Sequence, residues 1–156
     1  MTNAEIVVKK LIEKNYHIAF AESCTGGLCC AELVSVPDAS KVLDFSVVTY
    51  ANEAKIEHLG VKKNTIEENG VVSEQVAGEM CRGVANFAKA NVGVATTGVA
   101  GPSGGTAKKP VGMVSFGIYI DGNVLTYTKQ FGNIGRNEVR RASVSFIFEK
   151  LVECLS

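Results

Sequence analysis

Ala21-Glu22-Ser23-Cys24-Thr25-Gly26-Gly27 separates two stretches of different habit. Before it, His17-Ile18-Ala19-Phe20 is a short apolar run that suits a buried strand. After it, Leu28-Cys29-Cys30-Ala31-Glu32-Leu33-Val34 brings leucines and small residues that suit a helix. Ser23 is therefore a strand-to-helix residue. Gly26 and Gly27 relieve crowding where a helix N-terminus leaves N–H groups without partners, so the Thr25 to Gly27 backbone could hold a carboxylate, a phosphate or an oxyanion beside the Ser23 hydroxyl. Serine and threonine are also preferred N-caps, and the heptapeptide alone is equally compatible with Ser23 or Thr25 doing no more than capping.

Working outward, Ala4, Val7, Val8, Leu11 and Ile12 recur at helical spacing after Thr2 and Asn3, either of which can cap, and predict an opening helix ending near Asn15. Phe45 to Tyr50 is rich in β-branched and aromatic residues and reads as a second strand. Asn52 to Leu59 reads as a short helix closed by Gly60. Asn64 with Glu67 suggests a capped short turn stopped by Gly70, and Ser73 opens a helix from about Glu74 to Ala90 with Val76, Ala77, Met80, Val84, Phe87 and Ala88 on one face. Val92 to Thr97 is a strand of small residues. Val111 to Ile120 and Asn123 to Gln130 flank Asp121-Gly122, the strongest short hairpin signal. A last helix from about Asn137 carries an apolar stripe of Val144, Ile147, Phe148, Leu151, Val152 and Leu155. Helices alternating with strands, then a late hairpin, argue for a three-layer α/β/α sandwich with a mixed β-sheet.

The 156 residues suit one domain over 1–156 with a sizeable core. Sixteen basic and sixteen acidic residues cancel, so overall charge gives no support to a nucleic-acid surface. No apolar run reaches membrane-span length and Met1 to Glu5 does not resemble a signal peptide, so no membrane partner and a cytoplasmic location are expected. Five cysteines, an odd number without zinc-site spacing, indicate neither a disulfide framework nor a metal; Cys29, Cys30, Cys81 and Cys154 read as small buried hydrophobes.

Two further stretches bear on chemistry. Gly98-Val99-Ala100-Gly101-Pro102-Ser103-Gly104-Gly105-Thr106 holds four glycines in nine residues, enough for backbone N–H groups to approach a phosphate or planar ring, and is not a Walker A loop; a flexible connection explains it as well. A serine nucleophile needs a proton acceptor, and neither His17, in the first strand, nor His58, at the exposed end of a short helix, is well placed. Lys55 is the candidate base if burial disfavours its ammonium form, and Ser23, Tyr50 and Lys55 could form one relay at one sheet edge. Taken by itself, a lysine in such a helix is more often solvated.

Ala21 to Gly27, Val48-Thr49-Tyr50-Ala51-Asn52-Glu53-Ala54-Lys55, Gly70-Val71-Val72-Ser73 and Thr97 to Pro102 through Pro110-Val111-Gly112 together resemble the C-terminal domain of the CinA family, the nicotinamide mononucleotide deamidases. The resemblance runs nearly end to end, with several motifs in the same order. It implies an α/β/α fold and hydrolysis of the carboxamide of nicotinamide mononucleotide to nicotinate mononucleotide and ammonia, without metal or other cofactor. It implies Ser23 as nucleophile, Tyr50 and Lys55 as its activating partners, and Thr97 with Gly98, Gly101, Gly104 and Gly105 in the substrate site. Arg136 resembles the family's arginine after the last strand, a phosphate or substrate contact. The chain differs in having Ser103 where the family often has glycine and Asn133-Ile134-Gly135-Arg136 for a tighter Gly-Asp-Arg. No counterpart is expected of the molybdopterin-binding type of domain found in longer members. The partners in view are a small nucleotide substrate and other copies of the chain in a homo-oligomer such as a dimer. The competing reading is a nucleotide-binding regulatory or scaffold module without turnover.

Overall fold

The apolar run before Ser23 becomes the middle of a sheet. In the computed structural model, which describes residues 1–156, β1 (Ile18–Glu22) is buried along its whole length. It runs two residues past Phe20, because Ala21 still pairs with Ala95 and Glu22 with Val48, and His17 lies just before it. The remaining elements are α1 (Asn3–Lys14), α2 (Leu28–Val34), β2 (Leu43–Val48), α3 (Asn52–Leu59), α4 (Lys63–Asn69), α5 (Glu74–Ala88), β3 (Val92–Gly98), β4 (Met113–Ile120), β5 (Asn123–Gln130) and α6 (Arg136–Cys154). The sheet order is β2-β1-β3-β4-β5, with β1 parallel to both β2 and β3, and β4 and β5 antiparallel. This is the expected mixed sheet in an α/β/α sandwich.

Alternation along β1 divides the core in two. Phe20 faces α1, α2 and α6, among Leu11, Leu33, Phe116, Ile147 and Phe148. Ala19 and Ala21 face α5 and the end of α3, among Leu59, Val76, Met80 and Val84. The small residues of β3 and β4 on this second side have a steric reason. A Cβ at Gly93 would meet the Cys81 carbonyl, and one at Gly117 would lie 2.5 Å from the Ala77 carbonyl, so the glycines let α5 lie directly on the sheet.

Local signals explain most element ends. Thr2 and Glu5 close a capping box on α1, and Asn15 and Gly60 end α1 and α3 in the left-handed region. Ser73 caps α5 by accepting from the Val76 N–H. Asp121 (φ 47°) and Gly122 (φ 87°) make the two-residue turn of the β4–β5 hairpin. Of the expected α6 stripe, Val144, Ile147, Phe148, Leu151 and Leu155 are buried and Val152 half-buried.

Two expectations are corrected. Asn64 does not cap α4; Lys62 holds the cap position, and Asn64 sits in the first turn with its amide donating to Glu68. Phe87 is 65% exposed and not on the buried face of α5, because the end of α5 stands over the edge strand β2, where Phe45 covers part of the ring at 4.8 Å between centroids. No helix is long and apolar enough to cross a membrane.

The three parallel strands deliver their carboxyl ends to one rim of the sheet. Ser23 follows β1, Thr49 and Tyr50 follow β2, and Gly98 ends β3. The crossover after β1 goes to one side and the crossover after β2 to the other, so a crevice opens where an open α/β sheet ordinarily binds its ligand.

Candidate active site

The turn after β1 is built around a buried carboxylate. Glu22, 1% exposed, accepts from the Cys29 N–H (2.9 Å) and the Thr25 hydroxyl (2.6 Å) on Oε1, and from the Cys30 N–H (3.0 Å) on Oε2. The N-terminus of α2, expected to receive an anionic ligand, is thus occupied by the chain's own side chain. The Thr25 hydroxyl is turned into the core, where it also shares a 2.8 Å hydrogen bond with Thr96. Gly26 (φ 57°) and Gly27 (φ 103°) take the left-handed conformations that return the chain into α2. Ser23 is no helix cap: the residue before α2 is Gly27, and the Cys29 and Cys30 N–H groups at that end are taken by Glu22, not by the Ser23 or Thr25 hydroxyl.

Lys55 is 1% exposed, which sets it apart from a solvated helix lysine. Its Nζ donates to Ser23 Oγ (3.1 Å), to the Thr49 carbonyl (2.7 Å) and to the Tyr50 carbonyl (3.1 Å). Burial pulls its pKa down to about 8, since the charged form loses hydration that two carbonyl dipoles replace only in part. Ser23 itself is 8% exposed, with its N–H donating to Thr96 Oγ1 at 3.3 Å. Burial pushes the neighbouring Cys24 thiol up to about 12, so at neutral pH it stays protonated and is a poor rival nucleophile.

A cleft of about 380 Å³ lies along the same rim, within the size range of small-molecule sites. Its walls include Tyr50, Val71, Gly98, Gly101, Gly104, Lys109 and Arg136. Arg136, the first residue of α6, donates from Nη1 to the Gly101 carbonyl (2.7 Å) and from Nη2 to the Tyr50 hydroxyl (3.0 Å), tying the glycine loop to the end of β2. The Tyr50 hydroxyl is therefore engaged with Arg136; only the Tyr50 carbonyl meets Lys55, so the single Ser23–Tyr50–Lys55 relay read from the sequence is not formed through the phenol. Thr97 is 1% exposed and its hydroxyl donates to the Val71 carbonyl (2.9 Å), which holds the loop before α5 against β3. Gly105 lies outside the cleft walls, packed against Pro110 and Val111.

Sequence reasoning missed Glu22, Thr96 and Arg140. An acidic residue at the end of an otherwise apolar strand was a usable signal for Glu22. Nothing local marked Thr96 among the small residues of β3, or Arg140 among the charges opening α6. The Arg140 Nε donates to the Cys24 carbonyl and its Nη2 to the Thr25 carbonyl, both at 3.1 Å. A larger groove of about 520 Å³ lies between α1, α2 and α6, lined among others by Leu28, Glu32, Arg141 and Phe148; neither it nor the 380 Å³ cleft has Ser23 or Lys55 in its walls, and only the cleft includes Tyr50, whose carbonyl meets Lys55. No three His, Cys, Asp or Glu side chains gather in a way that could hold a metal ion.

A three-layer α/β domain that buries a lysine amine against a serine hydroxyl at the carboxyl rim of its parallel strands defines the class. The chain belongs to the CinA C-terminal domain family, whose family model matches residues 1–155. It is 48% identical over 147 residues to a protein of Clostridioides difficile (strain 630) that carries the provisional name competence-damage inducible protein. That match covers 94% of this chain and 35% of the relative. The chain thus spans about a third of the length of the curated relatives it matches. Among solved structures, it is similar to a competence/damage inducible protein from Agrobacterium tumefaciens (39% identity, TM-score 0.90, covering 98% of this chain and 96% of that one). It is likewise similar to a CinA superfamily protein from Klebsiella pneumoniae (33% identity, TM-score 0.94, covering 98% and 95%).

Proposed function

We propose that this domain hydrolyses the carboxamide of nicotinamide mononucleotide to nicotinate mononucleotide and ammonia, by a serine nucleophile activated by a neutral lysine. The observation that carries the reading is the 3.1 Å contact between the buried Lys55 amine and the Ser23 hydroxyl. As the Ser23 Oγ–carbon bond forms, the hydroxyl proton passes to Lys55 and the carbonyl π electrons move to oxygen. Collapse of that oxyanion breaks the carbon–nitrogen bond, and Lys55 returns the proton to the departing ammonia. Lys55 then takes a proton from water as it attacks the acyl ester; the Oγ–carbon bond breaks and the serine recovers its proton. Arg136 and Lys109 face a cleft that has no Asp or Glu in its walls, which suits a phosphate monoester. Tyr50 and Arg136, joined by their hydrogen bond, form the wall against which the nucleotide lies.

The test is Ser23→Ala. Ammonia release from nicotinamide mononucleotide is expected to fall to background while the protein stays folded, because the Ser23 hydroxyl caps no helix and its loss costs at most about 2 kcal/mol. A folded Ser23→Ala variant that releases ammonia at the wild-type rate would remove the mechanism; wild-type protein that binds the nucleotide without turnover would leave a binding module.

A further inference from the structure

The peptide groups after Ser23 are gripped from the side of the sheet opposite to Lys55. α3, which carries Lys55, ends in the core on the α5 side, whereas α6 packs on the other face with α1 and α2. From α6, Arg140 takes the Cys24 carbonyl with Nε and the Thr25 carbonyl with Nη2, and its Nη1 is anchored on Asn137 Oδ1 at 3.0 Å. Both peptides are trans, so each carbonyl and the N–H of its own peptide group point in opposite directions. Drawing the Cys24 carbonyl toward α6 turns the Thr25 N–H away from α6. Drawing the Thr25 carbonyl the same way turns the Gly26 N–H back onto the Ser23 carbonyl (3.0 Å), and that contact in turn sets the Cys24 N–H.

The Ser23 N–H is taken by Thr96 and the Gly26 N–H by the Ser23 carbonyl, while the N–H groups of Cys24, Thr25 and Gly27 make no hydrogen bond within the chain; Thr25 is wholly buried, and the Cys24 amide is the one next to Ser23. Buried N–H groups rarely stay unpaired without a reason, and the amide following a nucleophilic serine is a recurrent oxyanion donor. We infer that Arg140 is a positioning residue, holding the turn so that the unpaired Cys24 N–H, the amide that follows Ser23, receives the oxyanion formed when Ser23 adds to an amide. The inference rests on the amidohydrolase reading. A guanidinium suits the task because its fork spans two carbonyls at once, which one ammonium on a flexible stem does less well. The turn leaves room for it: an ideal Cβ on Gly26 would lie 3.1 Å from the Arg140 Nη2.

The experiment compares wild type with Arg140→Gln, Arg140→Lys and the milder Asn137→Ala, which removes only the anchor of Nη1. It follows ammonia release from nicotinamide mononucleotide, the rate at which a fluorophosphonate labels Ser23, and thermal unfolding. In Arg140→Gln, kcat should fall about 10²-fold, as for loss of an oxyanion donor, while KM stays within about threefold. Labelling should slow in parallel, with the pH midpoint of the rate unmoved. Arg140→Lys should recover part of the loss and Asn137→Ala should lose several-fold in the same direction. A raised KM at unchanged kcat would make Arg140 a ligand contact, a lowered Tm at unchanged kcat would make it a stabilising residue, and a displaced pH midpoint would place its action on Lys55; each overturns the inference alone. Wild type that neither releases ammonia nor is labelled overturns the amidohydrolase reading and the inference with it. Wild type that is labelled but leaves the nucleotide intact overturns only the choice of substrate, and the labelling rates of the variants still decide the role of Arg140.

Discussion

Lys55 exchanges water for three oxygen partners, and on the amidohydrolase reading proposed above that exchange is what makes it a base. Its amine is competent as a base only when neutral, and burial brings its pKa to about 8. Below that value the ammonium dominates and turnover should fall as pH falls; above it the free amine dominates and the rate should level off. A kcat/KM profile of the wild type should therefore rise through a midpoint near 8. Lys55→Arg keeps the charge but cannot release its proton near neutral pH, so it should lose nearly all turnover while still binding the nucleotide, as titration calorimetry would show. Substantial turnover in Lys55→Arg with the same pH profile would take the proton-transfer role away from Lys55. At this scale the sequence was only half legible. Ser23 announced itself by the glycines after it, whereas Lys55 lies among Glu53, Glu57 and His58 like any surface lysine, and its burial depends on where β1 and β2 bring Ser23 and Thr49. The direction of the Tyr50 phenol was not legible either, since its partner Arg136 is eighty-six residues away.

Among elements, the joint between β1 and α2 depends most on one side chain. Glu22 satisfies two N–H groups at the start of α2 and the Thr25 hydroxyl, so truncating it leaves buried donors without partners in a place water does not reach. Glu22→Ala should cost about 3 kcal/mol or more, a Tm lower by about 10 °C, and should lower turnover because Ser23 begins the same turn. Glu22→Gln, which keeps the volume and one acceptor oxygen, should lose less in both measurements. An unchanged Tm in Glu22→Ala would mean that the turn holds without the carboxylate. Elements whose limits are set by local chemistry were readable in advance: Thr2, one of the two caps offered for α1, Gly60, Ser73 and the Asp121-Gly122 turn all bound elements where expected, whereas the part of Glu5 in the α1 capping box was not read. Phe87 was misread because its surroundings come from how far a neighbouring element extends, which periodicity within one helix does not encode, and Asn64 because the start of α4 is held from α5, where Glu79 accepts from the Lys62 N–H and the Thr65 hydroxyl.

Over the whole molecule, sixteen positive and sixteen negative charges cancel, so net charge would do little to gather the nucleotide proposed as substrate. Discrimination has to come from the cleft, where Arg136 and Lys109 stand on walls without a carboxylate. Arg136 already spends two N–H groups on the Gly101 carbonyl and the Tyr50 hydroxyl, which fixes its plane but leaves other donors of the guanidinium for a ligand. Lys109 is half-buried, its stem close to Gly70, and has no carboxylate partner. If these two cations read a phosphate monoester, the mononucleotide should be turned over with a higher kcat/KM than nicotinamide riboside, which presents the same carboxamide without the phosphate. Lys109→Gln should then narrow the ratio about fivefold, the worth of roughly 1 kcal/mol for a partly solvated ion pair, through KM rather than kcat. The riboside rate should be unaffected by the substitution, because the chemistry at Ser23 and Lys55 is untouched. Raising ionic strength should raise the mononucleotide's KM more than the riboside's, since both carry the pyridinium charge but only the mononucleotide carries a phosphate for Arg136 and Lys109 to attract. Equal kcat/KM values for the two substrates, or a Lys109→Gln variant that lowers both alike, would show that the cleft does not read the phosphate and that the anion-favouring walls serve another part of the ligand.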